Sequence, residues 1–500
     1  MVPWIQCRYV WKGEVMNKKK IAVFASGWAP DIVHKVTDGI KEGFPEGYAD
    51  IYLFLTYATY VDTPDNQKAD LNIFNLPIME DFDGAVILCN TLDFEGLNDQ
   101  IIARAFSAFI PVVTIGKTDS GTYFVKTDNY KAMHDLCEHL VSEHSVKKPF
   151  FMEGTPENAD SNIRLKALKD VMSEHGLPFG DDSVFTTQWE PERARIFLKE
   201  MIESGKELPD AFLCANDILA MNVCDELSKH DIKVPEEVIV TGFDNDFLAQ
   251  VYDPSIASVD QNFKQAGAEC AKLFMDLDKG IEREDEIDVD CIFLPSESCG
   301  CFEARDFETV RRIEGKKKYL DVFRDSLFER DLSTMERKII GGGSYSEIGE
   351  RLTEMYRDST TIEDKYTYML LDPMFEKTIF NADRKLKNTG HARIMNIIFG
   401  MRDGEFEHGG EFETKDLAPN RYVDDLTHVY VFLSMYETSG NYGYIVTCDN
   451  YEKVDDYQFQ KYISRINSAF EKFRQNLSLS ALNAKLMELL EQKEKESQHL

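Results

Sequence analysis

No apolar run in this 500-residue chain approaches the roughly 18–20 residues that a membrane-crossing helix needs, so no spanning segment is expected. Basic residues are scarce, with 56 Lys and Arg against 89 Asp and Glu and a formal charge of −33. A field of that sign repels phosphate backbones and anionic lipid surfaces, so neither direct nucleic-acid binding nor membrane docking is expected. The N-terminus, MVPWIQCRYVWKGEVMNKKKIAVF, lacks the apolar core and small-residue cleavage site of a signal peptide. Residues 1–18 read instead as a disordered extension, whose first fifteen residues also fit a misassigned start codon, and a cytoplasmic location is expected. The ten cysteines follow no framework, and several fall in apolar strand or helix patterns, which suits buried reduced thiols. No nucleophile–base set appears at a recognisable spacing, so no enzyme activity and no cofactor is expected of this chain.

What the chain has in quantity is apolar material for several cores: 43% hydrophobic residues, 12% of all residues aromatic. Ile21–Ala25, Ile51–Leu55, Gly84–Leu88 and Val112–Ile115 are short apolar runs separated by helical patterns. That alternation predicts a parallel sheet with right-handed crossovers. It restarts after Asp128, which is placed to cap a helix whose Met133, Leu136, Cys137, Leu140 and Val141 share a face. Further strands are predicted at Phe150–Met152, Ala211–Cys214 and Val238–Gly242, with helices between them. Two successive α/β units predict a two-lobed fold, with ligand beyond the carboxyl ends of the strands.

The motifs from 210 onwards carry a resemblance. Asp210-Ala-Phe-Leu-Cys-Ala-Asn216-Asp217-Ile-Leu-Ala220, Val234-Pro235-Glu236-Glu237-Val238, Thr241-Gly242-Phe243-Asp244-Asn245, Pro254-Ser-Ile-Ala-Ser258-Val259-Asp260-Gln261 and Ala266-Gly267-Ala268 follow in order. In content and spacing they resemble the sensor domain of the LacI/GalR family, a two-lobed periplasmic-binding-protein-like type I fold. The resemblance covers residues 19–302, with crossings between the lobes near 126 and 256. It implies a cleft for a small polar metabolite, sugar-like or nucleoside-like. Arg164 and Trp189 match a ligand-holding arginine and a stacking aromatic, and Asn216 and Asp244 match a polar pair at strand ends. Ser26, Trp28 and Phe124 are candidate walls from the other lobe. The chemistry is coherent by itself: guanidinium and carboxylate bind hydroxyls, and an indole face covers C–H surface. Plainer roles stand beside these. Asn216 and Asp217 suit a helix cap, Trp189 inter-helix packing, Arg164 an exposed helix face and Asp244 a turn. The family's helix-turn-helix needs about 60 residues before the first strand. Only 20 precede it, without that pattern, so DNA binding through this chain is not implied.

Ser298-Cys299-Gly300-Cys301 closes the sensor. Within the family this ending is typical of sensors fused to signalling output domains. Residues 303–357 read as a charged helical connector interrupted by Gly341-Gly342-Gly343. Strands at Tyr366–Leu371, Arg393–Gly400 and Val429–Met435, a turn over Thr438–Gly443, a strand at Tyr444–Thr447 and a helix from about 455 resemble a GAF-like α+β domain over 358–475. Ile463, Ile466, Phe470, Phe473 and Leu477 follow 3-4 spacing, and Leu479, Leu482, Leu486 and Leu489 repeat it out of phase. That predicts a coiled-coil helix over 476–500 and a homodimer.

Other motifs point nowhere. Cys299 and Cys301 supply two of the four ligands a zinc site needs, and His134, His139 and His144, five apart, spiral off one helix face, so no metal is expected. His408-Gly-Gly-Glu411-Phe412 lacks one acidic residue of the diguanylate-cyclase turn, and Gly116-Lys117-Thr118 lacks the first glycine of a phosphate loop. The chain reads as a ligand sensor that drives an output through a coiled coil. Alternatively it is the regulatory portion of a diguanylate cyclase whose catalytic domain lies downstream, or a transcriptional regulator with DNA binding supplied elsewhere.

Overall fold

The computed structural model describes residues 18–301 and 307–498, apart from 62, 118, 360, 361, 363, 379–388, 438 and 439. The expected extension before residue 18 and the turn residues Thr438 and Ser439 therefore lie outside the described residues. Among those described, no helix is long and apolar enough to cross a membrane.

The first lobe alternates β1 (Lys19–Ser26), α1 (Pro30–Gly43), β2 (Ala49–Thr56), α2 (Pro64–Leu71), β3 (Gly84–Leu88), α3 (Leu97–Ser107), β4 (Val112–Ile115) and β5 (Tyr123–Thr127). Its parallel order is β5-β4-β3-β1-β2. The central runs are apolar throughout because helices cover both faces, as a parallel sheet requires. The chain then crosses to the second lobe: α4 (Asn129–His144), β6 (Pro149–Glu153), α5 (Ala159–Glu174), β7 (Val184–Thr186), α6 (Pro191–Glu203), β8 (Ala211–Cys214), α7 (Asp217–Lys229), β9 (Ile239–Thr241), α8 (Phe247–Val251) and β10 (Ser258–Asp260). Here the parallel order is β7-β6-β8-β9.

A second crossing follows Asp260, since α9 (Phe263–Asp278) packs on α1 of the first lobe. There the backbones approach so closely that a β-carbon on Gly267 would stand 2.2 Å from the Val36 carbonyl oxygen. A third crossing lies at 290–291. It joins β11 (Glu286–Val289), parallel to β5, to β12 (Ile292–Leu294), antiparallel to β10.

Beyond residue 301 come α10 (Phe307–Ile340), α11 (Tyr345–Asp358), β13 (Tyr366–Leu371), α12 (Pro373–Thr378), β14 (Ile394–Arg402), β15 (Glu405–Glu407), β16 (Glu411–Glu413), β17 (Val429–Glu437), β18 (Gly440–Cys448) and α13 (Gln458–Gln498). Sequence predicts a unit with a sheet of its own over 358–475. The strands form the antiparallel order β17-β18-β13-β14-β15, but β17 also pairs in parallel with β2. One twelve-stranded sheet results. The reason is that β2 is apolar on both faces and buried at all eight positions, so its edge needs a partner. Val429, Val431 and Leu433 extend the layer of Ile51, Leu53 and Leu55. On the opposite face Phe54 stacks on Phe432 at 4.8 Å and Tyr52 on Tyr430 at 5.4 Å.

Candidate ligand-binding cleft

Four polar side chains form a ring where the chain crosses between the lobes. Arg164 lies in the second turn of α5, which Asn158 caps by accepting from the Ser161 amide at 2.8 Å. It is 3% exposed. Its Nε and one terminal nitrogen donate to Asn129 Oδ1 at 3.1 and 2.9 Å, and its other terminal nitrogen donates to the Ala215 carbonyl. The guanidinium lies 3.7 Å over the Phe243 ring and 3.8 Å from Asp244 Oδ1. Asn129 Nδ2 reaches Gln261 Oε1 at 3.4 Å, and Gln261 Nε2 closes the ring by donating to Asp244 Oδ1 at 2.6 Å. Asn129 opens the second lobe after the first crossing, and Gln261 sits in the second crossing. Contacts to Arg164 and Asp244 therefore bear directly on the hinge.

Asp244 follows β9 with φ of 109°, a strained backbone for a non-glycine residue. Its amide donates to the Val259 carbonyl at 2.9 Å. The side chain remains 39% exposed, and its second oxygen has no partner among the described residues. Desolvation by burial, aided by the charges of Asp31 and Asp160, outweighs Arg164 and Gln261 and pushes its carboxyl up to about 6. From the first lobe, the opening turns of α1 bring an Asp31–Lys35 pair at 2.8 Å. Lys35 feels the charges of Asp244 and Asp260, and Asp31 feels that of Asp246. The wall opposite Asp244 is thus charged.

The remaining sequence candidates divide. Trp189 lies past β7 with φ of 61°, its indole seated where a β-carbon on Gly154 would stand 2.2 Å away. That places it at the carboxyl edge of the second-lobe sheet, packed against the second-lobe core. Asn216 caps α7, accepting from the Leu219 amide at 2.9 Å. Its neighbour Asp217 is buried and accepts from Ser258 Oγ and the Asp246 amide, both at 2.6 Å, so it ties the Asp244 loop to α7.

The three first-lobe candidates make other contacts. Ser26 is 1% exposed and closes its own turn, accepting from the Trp28 amide at 3.3 Å. Trp28 donates through Nε1 to the Tyr57 carbonyl and turns its ring onto Tyr57, Tyr60 and Tyr457, beside a cavity of about 330 Å³ that Tyr436 and Asn467 also line. Phe124 sits near the amino end of β5, opposite Thr114 and Glu286, whereas Asn129 and Asp244 of the ring follow the carboxyl ends of β5 and β9. Gln261 closes the Pro254–Gln261 motif but was not singled out as a site residue, and Asn129, Asp31 and Lys35 lie in no motif. Their signal was position, beside the crossings and at the first helix after β1.

In the fold, Cys299 and Cys301 meet two of the histidines that their spacing alone set aside as metal ligands. Cys301 Sγ lies 3.3 Å from Nε2 of both His139 and His144, which are 3.1 Å apart. Their five-residue spacing works because His144 is the last residue of α4, where the helix ends at left-handed Ser145.

Residues 137–292 match the family described as Periplasmic binding protein-like domain. The HTH-type transcriptional repressor PurR of Pasteurella multocida is 22% identical over 264 residues, covering 53% of this chain and 73% of that protein. Catabolite control protein A of Staphylococcus xylosus is 28% identical over 268 residues, covering 53% and 77%. Among solved structures, a transcriptional regulator CelR–cellobiose complex aligns at a TM-score of 0.47 and 18% identity, covering 57% of this chain and 86% of that one. Residues 137–292 thus match a periplasmic-binding-protein-like domain, and about half of the chain is similar to these two transcriptional regulators.

Proposed function

We propose that the chain senses a small polar metabolite, sugar-like or nucleoside-like, in the cleft between its lobes and passes lobe closure to an output through α10 and α13. The observation that carries this is the hinge ring. Arg164 and Asp244, the groups suited to ligand hydroxyls, are hydrogen-bonded to Asn129 and Gln261 at two crossings. A ligand bridging Asp244 to the Lys35 side of the cleft exchanges water for charge-assisted hydrogen bonds and favours the closed arrangement.

The route outward begins at α8, which follows the Asp244 loop and lies beside α10. Helix α10 runs parallel to α13, since Glu329 pairs with Arg465 and Glu336, seven residues on, with Lys472 at 2.7 Å. Ile463, Ile466, Phe470 and Phe473 bury against the shared core. Leu479, Leu482, Leu486 and Leu489 are between 52% and 64% exposed at coiled-coil spacing. We read them as the seam of a homodimer, with the 358–475 unit a GAF-like relay.

Calorimetry against sugars, nucleosides and polyols tests the reading. A hit lost in Asp244→Asn supports it, and a hit unaffected by that substitution refutes the site. A second reading is favoured by the transcriptional regulators among the relatives: the output is transcription, with DNA contact supplied elsewhere. Salt-dependent retention of the chain on DNA would instead give it a direct part.

A further inference from the structure

His139, His144, Cys299 and Cys301 come from segments more than 150 residues apart in sequence, yet their ligand atoms all lie within 4.8 Å of one another. Three edges of this cluster are short: 3.1 Å between the two imidazole Nε2 atoms and 3.3 Å from each to Cys301 Sγ. A tetrahedral zinc ion, with Zn–N of about 2.0–2.1 Å and Zn–S of about 2.3 Å, sets ligand edges of roughly 3.3–3.8 Å. The three edges among His139, His144 and Cys301 come within a few tenths of an ångström of that shape, and the Cys299 thiol lies within 4.8 Å of all three.

The backbone is arranged for convergence. Gly300, at φ of 91°, turns the chain between Cys299, whose thiol donates to the Ser296 carbonyl at 3.1 Å, and Cys301, whose thiol meets α4. Left-handed Ser145 ends α4 at His144. Cys299 is 1% exposed and no disulfide joins it to Cys301. Two thiolates with two imidazoles form a soft, closed set that selects zinc over magnesium or calcium and leaves no position for substrate.

We propose that His139, His144, Cys299 and Cys301 bind one Zn²⁺ as a structural centre, both thiols losing their protons to solvent on binding. Its place gives it a purpose. Helix α4 starts at Asn129, in the hinge ring, and ends at the cluster, while Cys301 is the last described residue before α10. The ion fastens the exit of the sensor to the helix that leads from the hinge. The metal site stands whether or not the cleft binds a sugar or nucleoside.

The test uses the purified full chain. Elemental analysis after dialysis is expected to find one zinc per chain. Cobalt(II) in its place is expected to give the strong visible bands of a tetrahedral site and a thiolate-to-cobalt charge-transfer band. Cys299→Ser with Cys301→Ser abolishes the charge-transfer band and weakens cobalt binding by more than the roughly 10–100-fold cost of outer-shell changes. His134→Gln, on the same helix but directed to Glu174 at 3.3 Å, leaves both unchanged. If the cysteine variant fails to fold, His139→Gln, read by cobalt spectrum and circular dichroism together, keeps the test decisive. Trace zinc with no cobalt bands in reduced protein overturns the proposal, as does an unaltered cobalt spectrum in a folded ligand variant.

Discussion

Asp217 Oδ1 occupies the space beside Gly242, only 2.0 Å from where a β-carbon on residue 242 would stand. The same carboxylate receives Ser258 Oγ and the Asp246 amide. Gly242→Ala must displace it and strand those donors. The expected loss is about 2–4 kcal/mol, combining overpacking with buried hydrogen bonds. Urea unfolding at neutral pH measures it, and a loss under about 0.5 kcal/mol would mean the loop yields freely.

Asp244 gives ligand affinity a pH signature. With its carboxyl at about 6, it is mostly charged at pH 7 and mostly neutral at pH 5. Binding of a hydroxylated ligand should weaken as pH falls through 6. Asp244→Asn should bind no better at pH 7 than the unsubstituted protein does at pH 5, with the melting temperature changed little because the amide still accepts from Gln261. Calorimetric titrations of both proteins across this range decide the matter.

Asp70 predicts how stability itself follows pH. It is 1% exposed, receives the Tyr57 amide at 2.7 Å, and burial pushes its carboxyl from 3.8 up to about 6. The folded state therefore holds this proton more tightly than the unfolded chain. Stability should rise as pH falls through 6 and level off below 4, by on the order of 3 kcal/mol for this group. Burial raises Asp217 in the same direction. Urea midpoints should be higher at pH 5 than at pH 7, and Asp70→Asn should reduce the difference.

The exposed leucine seam predicts oligomeric state. Leu482→Glu with Leu486→Glu places charge at half-exposed positions that touch no core of their own chain. Light scattering after size exclusion should shift from dimer to monomer while the melting transition of the sensor stays in place. An unchanged mass would remove α13 as the dimer contact.

The junction of β2 and β17 predicts the fate of a shortened protein. A fragment of residues 18–301 bares the β2 edge, with Tyr52 and Phe54 stripped of Tyr430 and Phe432. An unpaired apolar edge invites association. The fragment should sediment as aggregate where the full chain is monodisperse, and a well-behaved monomer would show that the edge tolerates water.

Sequence alone determined much of the sensor. Short apolar runs at α/β spacing mark buried parallel strands, because burial on both faces demands continuous apolar side chains. The motifs around Arg164 and Asp244 were legible because their residue types suit polar recognition. Tertiary structure decided what lies between distant segments. Local periodicity describes one element's faces and says nothing of which strand meets its edge, so the union of β2 with β17 was hidden. For the same reason the partners of Arg164 stayed unseen, as did the meeting of His139 and His144 with Cys299 and Cys301. Trp28, next to the first strand in sequence, turned into an aromatic cluster because Tyr57, Tyr60 and Tyr457 offered it a surface that the cleft did not.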